Sequence, residues 1–130
     1  MRYLLDTHVL LWWREDDPRL PSHWDDQLNN FNNAHEIFFS PVSIWEISIK
    51  RSIGKLKLEG ATVDFARSLI TDHGFRQLPI ELHEICRTEK LPMHHRDPFD
   101  RLLIAQAIEL GATAITSDTN WQAYPVKVEF

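Results

Sequence analysis

At 130 residues, with 43% hydrophobic and 25% charged residues, the chain has the size of one globular domain that buries about two-thirds of the surface its unfolded form exposes. Its one cysteine, Cys86, excludes an intramolecular disulfide framework and a cysteine-based zinc site, and suits a reducing cytoplasm. A formal charge of −5 lacks the basic footprint of a nucleic-acid binder, although four carboxylates gathered around cations would leave only −1.

The opening MRYLLDTHVLLWWREDD is apolar but interrupted by Asp6 and His8, and acids follow it where a cleavage site would stand. It is also too short to span a bilayer, so it reads as a core strand, Arg2–Leu5, and a helix, Thr7–Arg14. Pro18 and Pro21 mark a loop before a polar helix at His23–Asn30, and the LNNFNNAH segment reads as a surface loop or helix end. Glu36–Ser40 is a second strand, and Pro41, suited to a first helical turn, opens a helix to about Ser52. A helix at Thr62–His73, a strand at Phe75–Leu78 and a helix at Glu81–Thr88 follow. Pro98–Leu110 is the clearest helix, closed by Gly111, and strands at Thr113–Thr116 and Val126–Glu129 complete the chain. No repeat or linker divides residues 1–130, which are expected to form one domain. Strands alternating with helices imply a mainly parallel sheet with helices on both faces.

Two aspartates stand three apart in HHRDPFDRLLIA. With Asp97 as N-cap, Pro98 takes the first helical position and Asp100 the third, where the helix dipole favours an anion. Capping accounts for Asp97 better than for Asp100, which shares its helical face with Leu103, Ile104, Ala107 and Ile108, the stripe that should meet the sheet. Glu46 is similarly placed with Val42, Ile49 and Ile53. Its bland alternative is an ion pair with Lys50 one turn on, worth only about 0.3–0.5 kcal/mol and favoured at an exposed site.

Asp6 and Asp118 each follow a predicted strand, where a lone aspartate is more often a cap. In a parallel sheet, however, all carboxyl ends open on one edge, and Asp6, Glu46, Asp100 and Asp118 can converge there. Four such charges would repel unless cations compensate. Hard divalent ions with oxygen ligands, Mg²⁺ or Mn²⁺, do so, and paired ions of this kind serve phosphodiester hydrolysis. The residues alone therefore suggest a metal-dependent phosphotransfer enzyme or nuclease.

The series LLDTHVLLW, SIWEI, DPFDRLLIAQA and TAITSD, running from Tyr3 to Trp121, resembles PIN-domain ribonucleases, specifically the short VapC-type toxins of bacterial toxin–antitoxin pairs. The resemblance implies a three-layer α/β/α sandwich, Mg²⁺- or Mn²⁺-dependent cleavage of RNA, a homodimer, and inhibition by a cognate antitoxin whose tail blocks the cleft. By the same resemblance Asp6, Glu46 and Asp100 match the family's three core acids and Asp118 its more variable fourth. Thr7 and Ser117 match the small hydroxyl residues beside two of them. His8 stands where the family often has Asn or Ser. Asp97, part of the DPFDR variant of the third motif, is kept as a cap and supporting group. The expected reaction leaves a 5′-phosphate and a 3′-hydroxyl.

Lys50, Arg51, Lys55 and Lys57 follow the Glu46 helix, and Arg96 and Arg101 flank the third acid. Such residues position RNA through phosphates, and Arg101 is the strongest candidate, although a solvated loop explains residues 55–57 equally well. His94 and His95 lack any H-x-x-x-H or H-E-x-x-H spacing, which argues against a metal-ligand role. Trp12, Trp13 and Trp45 lie in apolar helices and read as packing residues, which leaves Trp24 and Trp121 open for base stacking.

Rival functions fare less well. A haloacid-dehalogenase phosphatase wants a second aspartate at position 8, where the chain has histidine. The four glycines, Gly54, Gly60, Gly74 and Gly111, are isolated, so no phosphate loop can be built. A histidine-based ribonuclease and a non-catalytic binding module, with the acids as mere caps, are the remaining alternatives.

Overall fold

The computed structural model describes residues 1–30 and 35–130, so the middle of the LNNFNNAH segment, expected at the surface, lies outside the described residues. The elements are β1 (Arg2–Leu5), α1 (Thr7–Arg14), α2 (Ser22–Asn29), β2 (Glu36–Phe39), α3 (Pro41–Ser52), α4 (Thr62–Thr71), β3 (Arg76–Gln77), α5 (Leu82–Arg87), α6 (Pro98–Leu110), β4 (Thr113–Ile115) and β5 (Lys127–Glu129). Two 3₁₀ turns, Thr88–Lys90 and Thr119–Ala123, extend α5 and link β4 to β5. Among the described residues no helix is long and apolar enough to cross a membrane.

The five strands form one sheet in the order β3-β2-β1-β4-β5, every pairing parallel. Successive strand side chains point to opposite faces, and each central strand feeds two apolar layers. Tyr3, Leu5, Phe39 and Ile115 pack with Val9, Leu10, Trp13, Ile47, Phe65 and Leu69 on the face of α1 to α4. Leu4, Phe38 and Ala114 pack with Leu103, Ile104, Ala107 and Trp121 on the face of α6. The result is the α/β/α sandwich.

Helix ends follow the local chemistry. Ser40 caps α3, its hydroxyl accepting the Val42 N–H at 3.1 Å with Pro41 in the first turn. Gly111 closes α6 at φ 68°, a left-handed turn that glycine adopts without a Cβ penalty. Glu81 and Glu84 form a capping box at α5. β3 is shorter than the expected Phe75–Leu78 because it lies at the sheet edge, with Arg76 and Gln77 both exposed.

From β1 the chain lays β2 and β3 to one side, then crosses to place β4 and β5 on the other. The order therefore switches between β1 and β4, and a crevice opens outside their carboxyl ends. Leu5 opposite Ile115 is the last register pair there.

Candidate active site

Asp6 follows β1 directly, and its backbone N–H is held by the Ile115 carbonyl at 3.0 Å. The side chain is buried. Its Oδ2 accepts the Thr116 hydroxyl at 2.7 Å, while Oδ1, also buried, has no hydrogen-bond partner. Thr116 in turn accepts the Asp118 N–H at 3.0 Å, so one hydroxyl joins the ends of β1 and β4. Glu46 projects from α3 and is 3% exposed; Oε2 receives Lys50 Nζ at 2.8 Å, and Oε1 is buried without a partner. The Lys50 pair read as an alternative from the sequence is thus present, but its carboxylate is buried.

Asp97 caps α6, accepting the Phe99 N–H at 2.8 Å and the Asp100 N–H at 3.4 Å. Asp100 lies in the first turn with its Oδ2 at 2.8 Å from His95 Nε2, and the same nitrogen is 2.8 Å from Asp118 Oδ2. Asp118 Oδ1 accepts the Asn120 N–H at 2.9 Å. Burial, then the charges of Asp6, Asp97, Glu46 and Asp118, push the Asp100 carboxyl up to about 8. Asp6 is also raised, chiefly by burial and in small part by Glu46, against the lowering effects of Thr116 and His8. The charges of Asp6, Glu46 and Asp118 thus act on Asp100, and among the described residues only His95, Asp100 and Asp118 bring ligand atoms within 4.8 Å of one another.

The sequence matches the family model described as "PIN domain" over residues 3–127. The chain belongs to the PIN domain family. Among solved structures, a chain of VapBC2 from Rickettsia felis, bound to a DNA fragment from their promoter, superposes with a TM-score of 0.73 at 15% identity, covering 99% of this chain and 98% of that one. DNA-bound VapBC from Salmonella typhimurium gives 0.69 at 14% identity, with 99% and 97% covered. FitAcB from Neisseria gonorrhoeae gives 0.64 at 18% identity, with 98% and 96% covered. At these identities the likeness is one of fold. No curated protein matches the chain in sequence.

This PIN domain distributes its hydroxyl groups differently from the sequence expectation. Thr7 is buried and its Oγ1 donates to Ser43 Oγ at 2.9 Å, which ties α1 to α3 beside Asp6 and Glu46. Ser117 is exposed, and Thr116, one residue earlier, meets the acids instead. Thr116 could have been singled out as the last residue before the fourth acid that shares a strand face with Ala114 rather than Ile115. Its partner, 110 positions away, carries no sequence signal.

Arg101 does not reach toward substrate. It is buried, and its guanidinium donates to the carbonyls of Pro92 (3.0 Å), His95 (3.1 Å), Thr88 (2.6 Å) and Leu91 (2.9 Å). These contacts make it the pin of the loop before α6, not a phosphate ligand. Lys55 and Lys57 are exposed, and with His8, Trp12 and Lys50 they line part of a cavity of about 260 Å³. Trp12 there lies 4.9 Å under the Arg19 guanidinium. The tryptophan expectations also change: Trp24 and Trp121 are core residues, at 3% and 0% exposure, whereas Trp45 is 58% exposed with its ring 5.0 Å from Phe99.

A divalent cation suits these residues on two grounds. Asp6 Oδ1 and Glu46 Oε1 are buried carboxylate oxygens without partners, which is costly unless a cation or water meets them. The donor set is dominated by carboxylate oxygen, the ligand type that hard ions such as Mg²⁺ and Mn²⁺ prefer.

Proposed function

We propose that the protein is a divalent-metal-dependent endoribonuclease, the toxin of a type II toxin–antitoxin pair, acting in the cytoplasm as one domain over residues 1–130. The observation that carries the reading is two buried carboxylate oxygens without partners, Asp6 Oδ1 at the switch point of the sheet and Glu46 Oε1 on α3, with Asp100 and Asp118 meeting at one imidazole. Asp6, Glu46, Asp100 and Asp118 would hold Mg²⁺ or Mn²⁺. When bound, such ions offset the crowded charge, activate water and stabilise the leaving oxygen of a phosphodiester.

The chain's own groups have separable tasks. Thr116 keeps Asp6 Oδ2 oriented by donating to it, and Lys50 holds Glu46 Oε2. Lys55 and Lys57, on the exposed rim, contact RNA phosphates without reading bases. Hydrolysis forms a bond from water oxygen to phosphorus and breaks the bond from phosphorus to O3′, leaving a 5′-phosphate and a 3′-hydroxyl. Support for the antitoxin comes from the VapBC complexes that share the fold, and the homodimer is the expectation of the family resemblance. Large apolar side chains at the surface, Trp45 and Leu82 at 58% and 76% exposure, are available for such partners to cover.

The test is cleavage of a mixed RNA pool by the purified protein with Mg²⁺ or Mn²⁺, with EDTA, and with a folded Asp100→Asn variant. Loss of cleavage in both EDTA and the variant is the expected result. Cleavage that survives both would sink the carboxylate mechanism in favour of a histidine-based one.

A further inference from the structure

His94 and His95, neighbours in sequence, have opposite surroundings. His94 is exposed and lies edge-on to Tyr124 at 5.3 Å, whereas the side chain of His95 is only 12% exposed. The backbone of His95 is fixed on both sides. Its N–H donates to the Tyr124 hydroxyl at 2.8 Å, and its carbonyl accepts from Arg101 Nη1 at 3.1 Å. The Tyr124 hydroxyl itself donates to the Pro92 carbonyl at 2.6 Å. The buried arginine and tyrosine thus build a platform under one imidazole.

The ring is held through its other nitrogen as well. Nδ1 accepts the Asp97 backbone N–H at 3.1 Å, so it has a lone pair there and no hydrogen. With Nδ1 accepting, Nε2 is the ring nitrogen left to donate. That nitrogen lies 2.8 Å from Asp100 Oδ2 and 2.8 Å from Asp118 Oδ2. On spacing alone His95, Asp100 and Asp118, with ligand atoms all within 4.8 Å of one another, could hold a metal ion. A protonated Nε2, however, has no lone pair for a metal and can only donate to the two carboxylates.

We propose that His95 is a positioning residue: its Nε2–H, shared between Asp100 Oδ2 and Asp118 Oδ2, holds these two carboxylates together for the cation without itself being a ligand. The proposal rests on the metal-site reading given above. Without the bridge nothing ties these two side chains, which come from separate elements, the first turn of α6 and the segment after β4, and once both are charged they repel. A hydrogen bond to carboxylate is among the stronger ones available, and the platform beneath the ring keeps the donor aimed.

Two measurements on the full chain test this. Nitrogen NMR of the His95 ring in metal-free protein at neutral pH should show a protonated Nε2 and an unprotonated Nδ1, and saturating Mg²⁺ should leave that pattern in place. Loss of the Nε2 proton on adding Mg²⁺ would make His95 a ligand and overturn the proposal. Calorimetric Mg²⁺ and Mn²⁺ titrations should show binding weakened by about 10–100-fold in His95→Ala, the usual effect of removing a group that orients a metal ligand. His95→Gln, which can place an amide N–H near the same point, should stay within a few-fold of wild type, with circular dichroism confirming that both variants fold. A His95→Gln as weak as His95→Ala, or a His95→Ala as tight as wild type, overturns positioning by hydrogen bonding. Wild-type protein that binds metal but cuts no RNA counts against the nuclease reading alone, whereas wild type that binds neither ion overturns both.

Discussion

Asp100 has its carboxyl pushed up to about 8 from an ordinary 3.8, with burial ahead of four neighbouring carboxylates as the cause. Between those pH values the folded chain holds more protons than the unfolded one, so the contribution of Asp100 to stability is present at low pH and lost as pH rises toward 8. In EDTA, Asp100→Asn should therefore melt increasingly above wild type as pH rises from 5 to 8. By pH 8 the gap should reach about 4 °C or more, the shift that roughly 1 kcal/mol gives in a chain of this size; a gap that is flat or closes with pH contradicts a carboxyl raised by burial and its neighbours. Thr116→Val should cost roughly 1–3 kcal/mol in a denaturant melt with metal absent, because Asp6 Oδ2 then joins Oδ1 as a buried acceptor without a donor. Wild-type stability in that variant would mean that the hydroxyl is dispensable to Asp6. The four acids stood out in the sequence because two follow strand ends and two interrupt an apolar helical stripe, and Asp118 also serves there as a cap. Thr116 and His95 did not stand out, since a hydroxyl and an imidazole are assigned by partners 110 and 23 residues away, a distance over which no periodicity speaks.

At the level of elements, α6 matches its expected bounds, Pro98–Leu110, at both ends. Its signals are local: an aspartate cap, a proline in the first turn and a glycine at the exit. Asp97→Ala should cost about 0.5–2 kcal/mol, the range for losing an N-cap, and should also weaken metal binding by loosening the turn that carries Asp100. Asp97→Asn should preserve most of the stability, and chemical denaturation of the two variants separates these outcomes. The loop before α6 was less readable. Arg101 looked like a surface cation beside a cleft, yet its guanidinium is spent on four carbonyls of residues 88–95. An ammonium cannot span such a set, so Arg101→Lys should lose about 2–3 kcal/mol despite keeping its charge. A change within ±0.5 kcal/mol, as at an ordinary surface site, would show that the carbonyl contacts contribute little. The 3₁₀ turn Thr119–Ala123 was also absent from the sequence reading, because Trp121 is drawn into the core by tertiary packing.

At the scale of the whole molecule, Lys55 and Lys57 of the loop after α3 line a cavity with His8 and with Lys50, the partner of Glu46. Replacing both Lys55 and Lys57 with alanine should leave stability nearly unchanged and reduce the salt dependence of RNA binding by about 1.4 in the log–log slope, the value for two phosphate contacts on a single strand. An unchanged slope would assign those lysines to solvent. The sheet order follows from the alternation of strands and helices only as far as parallel crossovers; that β1 lies between β2 and β4 is a three-dimensional fact. It has a consequence for the order in which the molecule can come into being. β1 waits at the centre of the sheet, and the aspartate after it meets Thr116 only when the residues through β4 have left the ribosome. A nascent chain halted before β4 carries Asp6, Glu46 and Asp100 but neither the closing hydroxyl nor the fourth acid, so these groups are complete only once β4 and the turn after it have emerged.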